Sequence, residues 1–302
     1  MNLMQEAEGL VREELDAYGV DHSKAQDLEA VLHLVLHMKL KTITISPRLV
    51  HRSSEFNEKL KHMDAEKQSA ADAIFEKVAA GEDISGHLGR SNHKPEKLDR
   101  LLADWGIQHL HISNRKNKPT DKLFASTGPV MFVLFHLKDA YFIDIYSHDT
   151  QKHPEVWTRQ ELIAILRNNW PQVLEPFRMK GVVGLSRDVS DPMERKKLRN
   201  ANVNAPIQIE KDVYSNPGGG LMADGTPMRV LRAADRIIDS LEQLDRDIMA
   251  FNPDTRRRLA QAAGITESSL DYELVKASGQ VWSLRVKGSA VVVVNINEPI
   301  FI

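Results

Sequence analysis

Residues 107–147 constrain the fold more than any other stretch. Four runs, 107–112, 122–125, 130–137 and 140–146, are strand-sized and rich in apolar residues, and Gly128-Pro129 and Lys138-Asp139 stand between the later ones as turn signals. Apolar runs of about 4 to 8 residues bounded by Gly, Pro and Asp read as strands, and connections this short join antiparallel neighbours. The reading is a small antiparallel sheet in the middle of the chain.

Helices surround it. Leu3, Ala7, Leu10, Val11 and Leu15 keep helical spacing until Gly19, and Leu28, Val31, Leu32, Val35 and Leu36 mark a second helix. Residues 55–80 read as one long polar helix that Gly81 ends. Pro95 opens a helix that runs to 104, Gly106 closes it, and Thr158 caps another over 159–168. Beyond Pro176 the periodicity weakens. Ser215-Asn-Pro-Gly-Gly-Gly220 reads as a hinge or tight turn, 230–250 as a helix, 256–274 as a helical pair, and 281–286 with 290–296 as a hairpin around Lys287-Gly288. The expected class is α+β: a helical region over 1–92, a central module with a small antiparallel sheet over 93–176, and a mixed C-terminal region over 177–302 that holds a helical hairpin and a β-hairpin.

Composition excludes some chemistry. The chain has no cysteine, so neither disulfides nor thiolate catalysis nor cysteine-held zinc or iron–sulfur centres can occur. No apolar run reaches the roughly 18 residues of a membrane helix, and the N-terminus lacks a basic, apolar signal segment. A cytoplasmic protein without a membrane partner is expected. The net charge of −2 argues against a uniformly basic nucleic-acid binder. Two stretches are locally basic: 90–124 has eight Lys/Arg against four Asp/Glu, and 178–199 has seven against three. Such patches attract phosphate even on a near-neutral protein.

Seven of the twelve histidines fall between His87 and His153. His109 and His111 alternate along one strand, so both point to the same face. The basic loop Asn114-Arg-Lys-Asn-Lys118 follows, and Tyr146 and His148 close a later strand. Histidine carries protons both ways near neutral pH, and Arg or Lys can stabilise charge on a phosphate. Together His109, His111, Arg115, Lys116, Tyr146 and His148 form a candidate catalytic set for metal-independent RNA cleavage. In that chemistry the substrate's own 2′-hydroxyl is the nucleophile and the protein supplies a base, an acid and a cation. No metal or other cofactor is required. Two surface histidines beside a solvated basic turn would give the same pattern.

The order helix, strand, basic loop and antiparallel meander over residues 97–170 resembles the RelE/HigB-type toxin ribonucleases. That resemblance implies an endoribonuclease of toxin–antitoxin or phage-defence type. Its partners would be RNA or the ribosome, with a cognate inhibitor or a second copy of the chain, and Arg115, Tyr146 and His148 would stabilise phosphate and move protons. His111-Ile-Ser113 and His148-Asp-Thr150 also resemble the paired His-x-Ser/Thr motifs of 2H phosphoesterases. His109-x-His111 with His148-Asp149 has the residue types of a histidine metal site. A different class is open at the other end of the chain. Residues 257–270 resemble a helix-turn-helix, with Ala260, Gly264, Ile265 and Leu270 at the expected spacing. They imply a non-enzymatic nucleic-acid-binding or regulatory protein that would use Arg256, Arg257 and Arg258.

Overall fold

The computed structural model describes residues 2–94, 97–126, 128–149, 151–187, 189–276 and 281–297. Pro95 and Thr150 lie outside them. The fold is mixed α+β, and the chain forms two compact units, residues 1–40 with 230–301, and residues 41–229 with 302. In the first unit α1 (Leu3–Ala17) buries Leu3, Ala7, Val11 and Leu15 as one stripe. Its cap is Asn2, whose Oδ1 accepts from the Gln5 amide at 3.2 Å. The next helix, α2 (Leu28–Lys41), reaches the boundary between the units.

The second unit is built on one sheet. Its elements in chain order are β1 (Leu49–Arg52), α3 (Ser54–Lys61), α4 (Ala65–Ala80), α5 (Arg100–Trp105), β2 (Ile107–His111), β3 (Pro129–Phe135) and β4 (Asp139–Ser147). The strand order is β1-β4-β3-β2. The β2, β3 and β4 strands are antiparallel as expected, and β1 adds to β4 in parallel. Val130, Met131, Phe132 and Val133 are fully buried, as a strand covered on both faces must be. One face packs on Phe56, Leu60, Ile74 and Val78 of α3 and α4. The other packs on Leu162, Ile163 and Leu166 of α6 (Glu161–Asn169) and on Val173 and Leu174 of α7 (Pro171–Leu174). Each such side chain contributes about 1.5–3 kcal/mol by leaving water.

Local chemistry explains where the structure departs from the sequence reading. The expected long helix over 55–80 is two helices, because Asp64 accepts from the Lys67 amide at 2.8 Å and caps α4 afresh. Residues 122–125 are not a strand. Phe124 and Ala125 give their amides to Gly86 and Arg115 instead of to a neighbouring strand. Thr158 does not cap α6; its hydroxyl bonds the carbonyls of Glu155 and Pro192.

Beyond α7 come α8 (Pro192–Asn200), β5 (Ile207–Ile209) and β6 (Asp212–Tyr214). The glycine-rich loop after β6 is a packed element rather than a hinge. The amides of Gly218 and Gly220 bond the carbonyls of Asp104 and Ala103, 2.9 Å each. A Cβ on Gly218 would lie 2.5 Å from Ala103 O, Gly106 N and Leu102 O, so only glycine fits. The Asp104 side chain sits beneath this loop, where it takes Asn216 Nδ2 and pairs with Arg199 at 2.6 Å.

The chain then enters α9 (Met228–Met249) and returns to the first unit through α10 (Pro253–Ala263). In place of the helical pair expected over 256–274 stand one helix and a strand. Gly264 ends α10, a 3-10 turn covers Glu267–Ser269, and β7 (Tyr272–Lys276) follows, antiparallel to β8 (Val281–Val286), which pairs with β9 (Val292–Asn297). Tyr272 and Leu274 are buried at strand period. Among the described residues no recognition helix for a helix-turn-helix follows Gly264, whereas the hairpin around Lys287-Gly288 is present.

Candidate active site

Sheet register brings the central histidines together. His111 pairs with Val130 and Val130 with Tyr146, so these form one row across β2, β3 and β4. His148 lies two residues past Tyr146, where its amide bonds Gly128 O at 2.7 Å. That places its ring 5.1 Å from the His111 ring and 6.3 Å from the His109 ring, centroid to centroid. His109 and His111 are 6.3 Å apart. Trp157 closes the group at 4.7 Å from His109 and 5.5 Å from His148.

A carboxylate stands behind His109. Asp99 caps α5, its Oδ1 accepting from the Leu101 and Leu102 amides at 3.1 and 3.0 Å. Its Oδ2 is 3.9 Å from His109 Nδ1. That is too long for a hydrogen bond, yet it favours the tautomer with the proton on Nδ1 and the lone pair on Nε2. The Nε2 atoms of His109 and His111 both approach Gly89. A Cβ there would lie 3.4 and 4.0 Å from them, and 3.7 Å from Ser91 Oγ.

Two cavities share Ser91, His109 and His148 in their walls. The first, of about 430 Å³, adds Gly89, Arg90, His111 and Asn117. The second, of about 380 Å³, adds Leu98, Asp99, Arg100, Trp157, Lys196 and Asn200. Arg90 is exposed and has no side-chain partner among the described residues. Lys196 Nζ spends one bond on Pro154 O.

Burial sets the protonation of the three rings. It drives His111 down to about 4, and His109, His148 and His87 add repulsion. Burial also lowers His109, against the pull of Asp99, with His148 adding to the decrease, and burial lowers His148. All three are neutral bases at neutral pH. His87 is a support: its ring stacks on Phe124 at 4.2 Å, its Nδ1 donates to His111 O at 3.2 Å, and burial pushes it to about 4.

Of the six residues expected at the site, His109, His111 and His148 come together and three do not join them. Arg115 is exposed and pairs with Glu66 at 2.7 Å. Lys116 rests 5.8 Å from the Phe124 ring. Tyr146 lines neither cavity; Lys59 Nζ lies 3.8 Å over its ring, and burial with nearby Asp144 raises its hydroxyl. Ser113 is also turned away from a His-x-Ser role, since its hydroxyl accepts from the Arg115 amide at 3.1 Å. Asp149 accepts from the Gln151 and Lys152 amides instead of joining the histidines. Among the described residues no three His, Asp or Glu side chains converge as metal ligands.

Sequence reasoning missed Asp99, Arg90, Trp157 and Lys196. Asp99 before a helical run is a legible cap, but nothing local says that its second oxygen faces a strand. Comparison with protein-family models, curated proteins and solved structures finds no match.

Proposed function

We propose that the chain is a metal-independent endoribonuclease whose site is the His109–His111–His148 cluster. The observation that carries this reading is the convergence of three neutral imidazoles, one backed by a carboxylate, where two cavities with basic side chains in their walls share residues. His109 Nε2, with Asp99 behind Nδ1, takes the proton of a 2′-hydroxyl. The 2′-oxygen attacks phosphorus, and the bond to the 5′-oxygen breaks to leave a 2′,3′-cyclic phosphate. His148, the most open of the three, is the ring whose protonated form a bound phosphate anion most readily stabilises; it takes its proton from solvent and gives it to the departing 5′-oxygen. Arg90 and Lys196, rather than Arg115 and Lys116, hold the phosphate. The toxin or phage-defence setting adds growth arrest on expression, with RNA or the ribosome as target.

The test is a DNA strand that contains a single ribonucleotide, incubated with the purified chain and EDTA between about pH 5 and 8. Cleavage at the ribonucleotide with a cyclic phosphate end is expected, reduced about 10²–10⁴-fold by His109→Ala and by His148→Ala. A wild-type chain that leaves the ribonucleotide strand intact, or variants as active as wild type, would remove the reading.

A further inference from the structure

The glycine-rich loop presents an arginine that the catalytic reading does not use. Arg229 opens α9 and lies along this loop. A Cβ on Gly219 would sit 3.3 Å from Arg229 Cγ, and one on Gly106 would sit 3.7 Å from Nη2. Glycine at both positions makes a channel for the side chain. Its guanidinium has five N–H donors, and among the described residues its one hydrogen bond goes from Nη2 to Pro217 O at 2.7 Å. Among the described residues no carboxylate pairs with it, and burial holds it below the ordinary arginine range.

The buried arginines of the same unit are treated differently. Arg199 pairs with Asp104. Arg195 bonds Ala205 O, Pro206 O and Gln160 Oε1, and Arg48 bonds three carbonyls. Arg229 is only half-buried, so its remaining donors stay open to an entering ligand.

They line a cavity of about 240 Å³, walled by Leu134, Tyr141, Val173 and Phe177, with His136 beside the guanidinium. The His136 ring stands edge-on to Tyr141 at 5.5 Å. The cavity is apolar with a few converging polar groups, the usual make-up of a small-molecule site. It lies at the opposite end of β3 from the His111–Val130 pair, roughly 15–20 Å away by strand rise.

We propose that this cavity is a second ligand site, which takes a small carboxylate or phosphate with an apolar body. The Arg229 fork grips the anion in the bidentate manner that suits both groups, His136 adds a donor, and Leu134, Val173 and Phe177 cover the body. The glycine loop is thus an arginine cradle.

The test is calorimetric titration of the full chain with benzoate, phenyl phosphate and inorganic phosphate, at ionic strength matched with chloride. Saturable binding of benzoate or phenyl phosphate is expected, tighter than inorganic phosphate, and which of the two binds identifies the anion. Arg229→Gln weakens it at least about tenfold. Arg229→Lys keeps the charge without the fork and loses affinity as well, which covers the case in which the glutamine variant does not fold. The proposal is overturned if neither organic anion saturates below about 10 mM, or if the lysine variant binds as tightly as wild type.

Discussion

The chemistry of the candidate site turns on one long contact, the 3.9 Å between Asp99 Oδ2 and His109 Nδ1. Contacts of this kind commonly tighten only when substrate is bound. Asp99→Asn isolates its effect, because asparagine caps a helix as well as aspartate does, so α5 keeps its start while His109 loses its charged partner. The expected loss in kcat is about 10²-fold, less than the roughly 10⁴-fold of a fully formed triad. Since Asp99 pulls the His109 pKa upward, its removal also moves the acid limb of kcat/KM to lower pH. A variant that loses activity with an unmoved limb would mean that Asp99 only shapes α5. The histidines themselves were legible, because strand alternation alone puts His109 and His111 on one face. Asp99, Arg90 and Lys196 come from a helix cap, a loop and a distant helix, and no local pattern joins those to a strand.

At the scale of elements, legibility follows what each one buries. The β3 and β4 strands read clearly because nearly every side chain is apolar and a two-residue signal separates them. The four-residue β1 hid behind Pro47; its partner β4 lies some 90 positions later, and a parallel pairing at that range leaves no local trace. The α8 helix hid for another reason: its buried residues are Arg195 and Arg199, so it has no apolar stripe to find. The residues of β7 read as the end of a helical pair, although Tyr272 and Leu274 alternate as a strand's do. The burial of Arg199 has a measurable consequence. Asp104→Ala strands a guanidinium that is 4 % exposed, and it should cost about 3–5 kcal/mol in urea unfolding. Asp104→Ala combined with Arg199→Met should recover part of that loss, because a buried pair is expensive to break and cheap to replace. A double variant no more stable than the single one would place the stability in the Asn216 and Trp157 contacts instead.

For the molecule as a whole, the buried histidines tie folding to pH. His87 and His111 are each lowered from 6.5 to about 4 in the folded state. Below the unfolded value the unfolded chain binds protons that the folded one refuses, so stability falls as pH drops. The loss begins near pH 6.5 and levels off near pH 4, and it amounts to at most about 3 kcal/mol for each ring. Both rings belong to the unit of residues 41–229, which also holds Trp105, Trp157 and Trp170, while Trp282 belongs to the other. Urea unfolding of a Trp282→Phe chain, followed by tryptophan fluorescence, therefore reports on the histidine-bearing unit. Its midpoint should fall steadily between about pH 6.5 and 4.5, and His87→Gln with His111→Gln should flatten that fall. A slope that survives both substitutions would assign the acid sensitivity to other groups, with His109 and His136, also lowered by burial, the next to replace.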